Sequence, residues 1–341
     1  MNRTIVFSTR PRLIVIYYLV LVLALLLAQG CQKAVVDGDR DWHALVDPYR
    51  HTFNLGTYNL HYIDMGRGEP LVMVHGFADS TFTWHKNVRA LIAAGFRLIL
   101  VDQPGLGRSD IPPEPYVYSI ENQSGAILKL IEHLGLARFN LMGHSMGGGI
   151  VLYISLHKPE AVKTVIAVDP ACFPPPMRLK MTYPLMKYLA SLLAGRWSVE
   201  LALKDVYFDN SKVDAVLVEE YFQPMQKDGY WDALAALQKQ YFSAAFDRMT
   251  ESYGTLDMPL LIVWGEQDKW LPMDFGSQLH ARIPGSEFVT IGNCGHNTHQ
   301  ESWNKFHAAV MTFYGRHIDL NAPQQAQDGV SRAATPSVPG E

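Results

Sequence analysis

Six short apolar runs recur through this chain, each ending in a glycine or a polar turn: PLVMVHG (70–76), FRLILVDQPG (96–105), FNLMGHS (139–145), TVIAVDP (164–170), PLLIVWG (259–265) and SEFVTIGNCG (286–295). Near-continuous apolar runs of this length suit strands buried on both faces, as in parallel sheets. Helix-like stretches at 119–135 and 147–158 lie between them. Strands alternating with helices predict an α/β fold, a mostly parallel, doubly wound sheet covered on both sides. The alternating stretch TFNLGTYNLHYIDMG (52–66) predicts a β-hairpin ahead of it. With 48% hydrophobic residues in 341, the chain can fill a large core. A net charge of −4 with no basic stripe argues against a nucleic-acid partner.

One interval breaks the rhythm. From Asp169 to Met258 no core strand is evident. The interval holds YPLMKYLASLLAGRW and YWDALAALQKQYFSAAF, apolar at helical spacing. We read 173–252 as an inserted helical cap, with most of its aromatics packed on the sheet and a few facing a cleft. The core is then 51–172 and 253–318, preceded by a polar linker (32–50). A Pro-, Gln-, Ala- and Ser-rich tail (319–341) reads as disordered.

The first 31 residues form a separate unit. Arg3, Arg10 and Arg12 precede an unbroken apolar run, Leu13 to Ala28, followed by Gln29-Gly30-Cys31. That order reads as an export signal. LLLAQGC resembles a bacterial lipobox, and the resemblance implies that Cys31 is lipidated and becomes the mature N-terminus. The expectation is an exported, membrane-anchored protein on the periplasmic face or outer membrane. An uncleaved signal-anchor and a secreted form are the alternatives. Cys172 and Cys294 are too few for a disulfide scaffold, and nothing requires them to pair.

The third run leads into the chemistry. FNLMG reads as a strand and MGGGIVLYISLHK as a helix, so Ser145 lies on a sharp strand-to-helix turn within Gly143-His144-Ser145-Met146-Gly147. This G-x-S-x-G arrangement exposes a serine hydroxyl at a helix N-terminus. Gly148 and Gly149 are expected to let the helix approach the sheet. A serine nucleophile needs a base and a group to orient it. His296, after the last run, is the expected base, and Asp268, after the preceding run, the expected acid. His299 is the rival base. Glu266 and Asp169 are the rival acids, Asp169 because it ends the strand after the nucleophile helix. Backbone N–H groups of Met146 and Phe77 are the expected oxyanion hole. His75, beside Phe77, reads as a structural loop histidine. The histidines lack metal-ligand spacing, and no cofactor is expected.

HGF (75–77), DQPGLGRSD (102–110), GHSMGG (143–148), GEQD (265–268) and CGH (294–296) together resemble the α/β-hydrolase superfamily, in its cap-bearing esterase/lipase and C–C hydrolase branch. The likeness spans about residues 51–316. It implies that Asp102 and GLGRS brace a loop rather than react. The chain departs from many relatives after His296, where it has Thr298-His299 in place of a nearby proline. The expected function is serine hydrolysis of an acyl ester, a small-molecule substrate of carboxylesterase or lipase type. A C–C hydrolase acting on vinylogous diketones shares the triad and cap, but its carboxylate-bearing substrates favour a cleft arginine; Arg178 and Arg196 are the cap's candidates. Ser145 argues against dehalogenase or epoxide-hydrolase chemistry, which needs a carboxylate nucleophile. A catalytically silent binding protein is the remaining class. Oligomeric state and acyl length are not legible in the sequence.

Overall fold

The structure is a computed structural model that describes residues 38–174 and 195–320. The expected export signal with Cys31, the start of the linker, cap residues 175–194 (Arg178 among them) and the tail from 321 lie outside the described residues.

In chain order, helix α1 (Gly38–Val46) precedes strands β1 (Arg50–Asn54), β2 (Asn59–Gly66) and β3 (Glu69–Val74). Helix α2 (Val88–Ala93), β4 (Phe96–Val101), α3 (Ile120–His133), β5 (Phe139–His144), α4 (Met146–His157) and β6 (Val162–Val168) follow. The cap helices are α5 (Arg196–Val206), α6 (Ala215–Phe222), α7 (Tyr230–Gln240) and α8 (Ala244–Ser252). The chain then returns through β7 (Leu260–Gly265), α9 (Met273–Arg282), β8 (Glu287–Ile291), α10 (Thr298–Glu301) and α11 (Trp303–His317).

The eight strands make one sheet in the order β1-β2-β4-β3-β5-β6-β7-β8. β1 and β2 are the predicted hairpin, and β2 also runs antiparallel to β4; all other pairs are parallel. Strand β3 lies between β4 and β5, so the chain leaves it in one direction and later crosses to its other side. Ligands in open α/β sheets bind beyond the strand ends at such a reversal. Here that places the loop after β3 beside the turn after β5.

The period of two fills both faces of the sheet. Val72, Val74, Ile99, Val101, Leu141 and Val165 pack with Ile127, Ile150 and Ile154 of α3 and α4. Leu71, Met73, Leu98, Leu100, Met142 and Ile166 point the other way, against Val88 of α2 and Phe306 and Val310 of α11. Truncating one such fully buried leucine, as in Leu141→Ala, removes about 2–5 kcal/mol. The cap straddles the sheet edge. Leu203 and Leu217 of α5 and α6 join the second cluster, and Leu237 and Phe246 of α7 and α8 join the first.

Two expectations need correction. The stretch read as a polar linker holds α1, where Trp42 and Val46 are buried and Trp42 meets Phe82 edge-on. Its average polarity hid an apolar pair at i, i+4. The last strand ends at Ile291, not 295, because β7, its only neighbour among the described residues, ends at Gly265 opposite Ile291. Beyond it, Asn293 takes a positive φ of 57° and the Cys294 carbonyl accepts the Gln267 N–H at 2.9 Å.

Candidate active site

Ser145 sits between β5 and α4 with φ 51° and ψ −117°. A non-glycine residue in such a region costs about 1–3 kcal/mol, and the surroundings must hold it there. The backbone does so: Ser145 N–H donates to the Val168 carbonyl at 2.9 Å, and the Ser145 carbonyl accepts from Ala171 N–H at 2.8 Å. The tightness explains the flanking glycines. A Cβ at Gly143 would lie 2.2 Å from the Gly147 carbonyl oxygen, and one at Gly147 would lie 2.3 Å from that of Val74. Gly149 departs from expectation. Its bare Cα faces the cap as well as the core, since a Cβ there would lie 2.5 Å from the Tyr241 hydroxyl. That hydroxyl donates to the Met146 carbonyl at 2.7 Å.

The structure brings Ser145, His296 and Asp268 together. His296 Nε2 is 2.8 Å from Ser145 Oγ, and His296 Nδ1 is 2.7 Å from Asp268 Oδ2. A carboxylate at Nδ1 fixes that proton there and leaves Nε2 to accept from the serine hydroxyl. Asp268 is itself held, because its Oδ1 accepts the backbone N–H groups of Trp270 (2.8 Å) and Leu271 (2.9 Å). Burial alone would depress the His296 pKa. The adjoining Asp268 charge and its hydrogen bond outweigh that and hold it above the ordinary histidine value.

The rivals are elsewhere engaged. His299 is fully buried, with Nε2 2.8 Å from Thr83 Oγ1 and its ring against Trp84. Burial and neighbouring histidines push its pKa well below normal. Glu266 accepts from the Thr290 hydroxyl at 3.0 Å on an exposed edge. Asp169 is buried and accepts from the backbone N–H of Gly265 (2.8 Å) and Thr298 (3.4 Å). Burial first, and then the Asp268 charge, raise its pKa.

Phe77 and Met146 both line the cleft beside Ser145. Met146 opens α4, where an N–H has no intrahelical acceptor. His75 has a structural position: Nε2 accepts from Gln103 N–H at 3.0 Å, so Nδ1 donates to the Gly76 carbonyl at 2.8 Å. Asp102 is fully buried and accepts from His61 (2.7 Å), Thr81 N–H (2.6 Å) and Arg108 N–H (2.9 Å). Burial opposes its ionisation, but these donors and the nearby histidines drive its pKa far below the carboxylate range.

The cleft above Ser145 has a volume of about 1060 Å³. Ile111, Leu237, Phe242 and Leu271 are among its walls; Glu114, Asp232 and Lys239 are its charged lining residues among those described. Arg196 is outside it, paired with Glu219 on an exposed face of the cap. Sequence reasoning missed three residues. Trp270 lines the cleft, lies nearly parallel to the His296 ring at 6.1 Å, and donates from Nε1 to Asp205 of the cap at 3.0 Å. His144 Nε2 is 3.0 Å from the His296 carbonyl. Tyr241 is the third. His144 and Trp270 each sit within two residues of a triad member, which was the only available signal. Cys172 and Cys294 are both buried and free. Among the described residues no group of three or more His, Cys, Asp or Glu side chains converges as a metal site, and no helix is long and apolar enough to cross a membrane.

A family model described as alpha/beta hydrolase fold matches residues 69–224. The chain is 30% identical over 256 residues to an uncharacterized hydrolase, YugF, of Bacillus subtilis (strain 168), covering 72% of this chain and 90% of that protein. It is 31% identical over 268 residues to 2-hydroxy-6-oxononadienedioate/2-hydroxy-6-oxononatrienedioate hydrolase 2 of Pseudomonas putida, covering 74% and 91%. Among solved structures, wild-type Cfl2 from Burkholderia cenocepacia superposes with a TM-score of 0.69 at 24% identity, over 78% of this chain and 95% of that one.

Proposed function

Because this chain belongs to the α/β-hydrolase family, we propose that Ser145 attacks a carbonyl carbon and that the scissile bond is that of an uncharged carboxylic ester. His296 takes the serine proton and delivers it to the leaving alcohol, and Asp268 stabilises the imidazolium. Backbone N–H groups of Phe77 and Met146 receive the oxyanion. Each such donor contributes about 10²–10³ in kcat. Water activated by His296 then releases the acid. The observation that carries the ester reading is the apolar character of the cleft's described walls, Ile111, Leu237, Phe242 and Leu271 beside Ser145, which suits an uncharged acyl chain.

A second reading rests on the relatives. Relatives with a named activity include 2-hydroxy-6-oxononadienedioate/2-hydroxy-6-oxononatrienedioate and 2-hydroxy-6-oxo-6-phenylhexa-2,4-dienoate hydrolases, which favours cleavage of a C–C bond beside a ketone by the same triad. On this point the comparisons favour the second reading over the first. Purified protein, with Ser145→Ala alongside, is assayed on p-nitrophenyl esters from acetate to palmitate and on a 2-hydroxy-6-oxo-dienoate, whose colour bleaches on cleavage. Serine-dependent ester turnover without bleaching supports the ester. Efficient bleaching with negligible ester turnover establishes the second reading. A folded wild type inert to both, and unlabelled by a fluorophosphonate, leaves the silent binder.

The proposal includes export and a lipid on Cys31, supported by the basic start, the apolar run and Gly30-Cys31. Cys31→Ser then abolishes palmitate incorporation and leaves the precursor at its full, unprocessed mass. A wild type that incorporates no palmitate, or a Cys31→Ser variant labelled and processed as the wild type is, overturns it.

A further inference from the structure

The loop after β3 carries Phe77, and the next residue, Ala78, adopts a left-handed φ of 56°. An alanine does not hold that conformation unaided. The following side chain supplies the restraint. Asp79 is buried, its Oδ1 accepts Ser80 N–H at 2.7 Å, and its Oδ2 accepts the Tyr221 hydroxyl of cap helix α6 at 3.0 Å. The same hydroxyl is 3.3 Å from Asn297 Nδ2 and 3.1 Å from Gln300 Nε2. Asn297 follows His296 directly, and Gln300 lies four residues after it. Tyr207, at the end of α5, donates to Gln300 Oε1. One phenolic oxygen thus joins three parts: the cap, the loop bearing Phe77, and the loop bearing His296. Tyr221 and Asp79 are 142 residues apart in sequence.

We infer that Asp79 and Tyr221 are positioning residues for the oxyanion hole: the cap, through Tyr221, holds the Phe77 peptide in register with the serine and the histidine. Neither side chain lines the cleft among the described residues, so their effect passes through the loop and not through substrate contact. The inference rests on the serine-hydrolase reading above. It predicts a defect confined to tetrahedral, oxyanion-bearing species, since a preorganised donor acts where charge develops.

The test compares the wild-type full chain with Tyr221→Phe and Asp79→Ala. One readout is KM and kcat for a p-nitrophenyl ester. The other is the affinity for an alkyl trifluoromethyl ketone, which forms a tetrahedral adduct with the serine, measured by protection against fluorophosphonate labelling. Thermal melts identify folded variants, and Asp79→Asn, which keeps an acceptor, serves if Asp79→Ala does not fold. The expected result for Tyr221→Phe is a loss of about tenfold in ketone affinity and in kcat, with KM within about twofold. Ketone affinity unchanged in folded variants, or falling in step with KM, overturns the inference. A wild type that binds the ketone but turns over no ester refutes the ester reading alone.

Discussion

Strands β6 and β7 are neighbours, and each delivers an aspartate just beyond its carboxyl end. Asp169 follows Val168 directly, and Asp268 follows Gly265 by three residues. Both are near His296, and both sit where an acid for the base is expected. Only Asp268 bonds to the ring. Asp169 takes φ 42° and turns its oxygens onto the backbone N–H groups of Gly265 and Thr298. It thereby ties the start of the Asp268 loop to the start of the helix after His296. The lesson is one of reach. The residue on the strand end is committed to the backbone around it, and the one three residues out, on a short turn, can face another loop.

The largest effect expected from breaking this comparison is at Asp268. Asp268→Asn lowers kcat/KM by about 10⁴-fold, measured on the preferred substrate, because the imidazole loses the partner that fixes its tautomer. Asp169→Asn lowers it by less than about tenfold, since it keeps an acceptor for Gly265. Equal losses in the two variants contradict the assignment.

The pH profile sharpens the difference. His296 acts as a base only when neutral, and its folded pKa is raised. The acid limb of kcat/KM in the wild type therefore lies above the ordinary histidine value of 6.5. In Asp268→Asn the largest opposition to burial is gone and only the Asp169 and Asp79 carboxylates still raise the pKa, so the acid limb of the residual activity moves down from the wild-type position. A wild-type limb below 6.5 counts against the pairing.

A smaller effect appears in stability. A carboxyl raised on folding stays protonated in the folded chain between its ordinary and raised pKa values, where the unfolded chain has released the proton. Asp169 therefore lowers stability as pH rises through that interval, and Asp169→Asn flattens the slope. Denaturant titrations from pH 4 to 9 read this directly. The contribution of a raised His296 has the same sign: it is present in full below the unfolded value and is lost as pH rises through the folded one.

Much of this was legible because it is local. The strands show a period of two, the elbow shows crowded glycines, and the triad residues follow runs that end where strands end. The Asp169–Asp268 choice is less legible, because spacing marks both as candidates and only side-chain direction separates them. The roles of the buried histidines His144 and His299, and the Tyr221–Asp79 pair, were not legible. Their partners lie far along the chain, and no local period encodes a hydrogen bond across such a separation. The helix Gly38–Val46 was missed for a different reason, since an apolar pair in a polar setting barely alters composition.

The Val206 carbonyl, at the end of α5, accepts the His296 backbone N–H at 2.9 Å, and a Cβ on Gly295 would lie 2.2 Å from the same oxygen. The cap's main chain is therefore part of the scaffold of the base. Exchanging caps between relatives to alter selectivity is not a modular operation in this protein. A donor segment must return a carbonyl to this one point, against a residue with no side chain, or the graft displaces the histidine it was meant to serve.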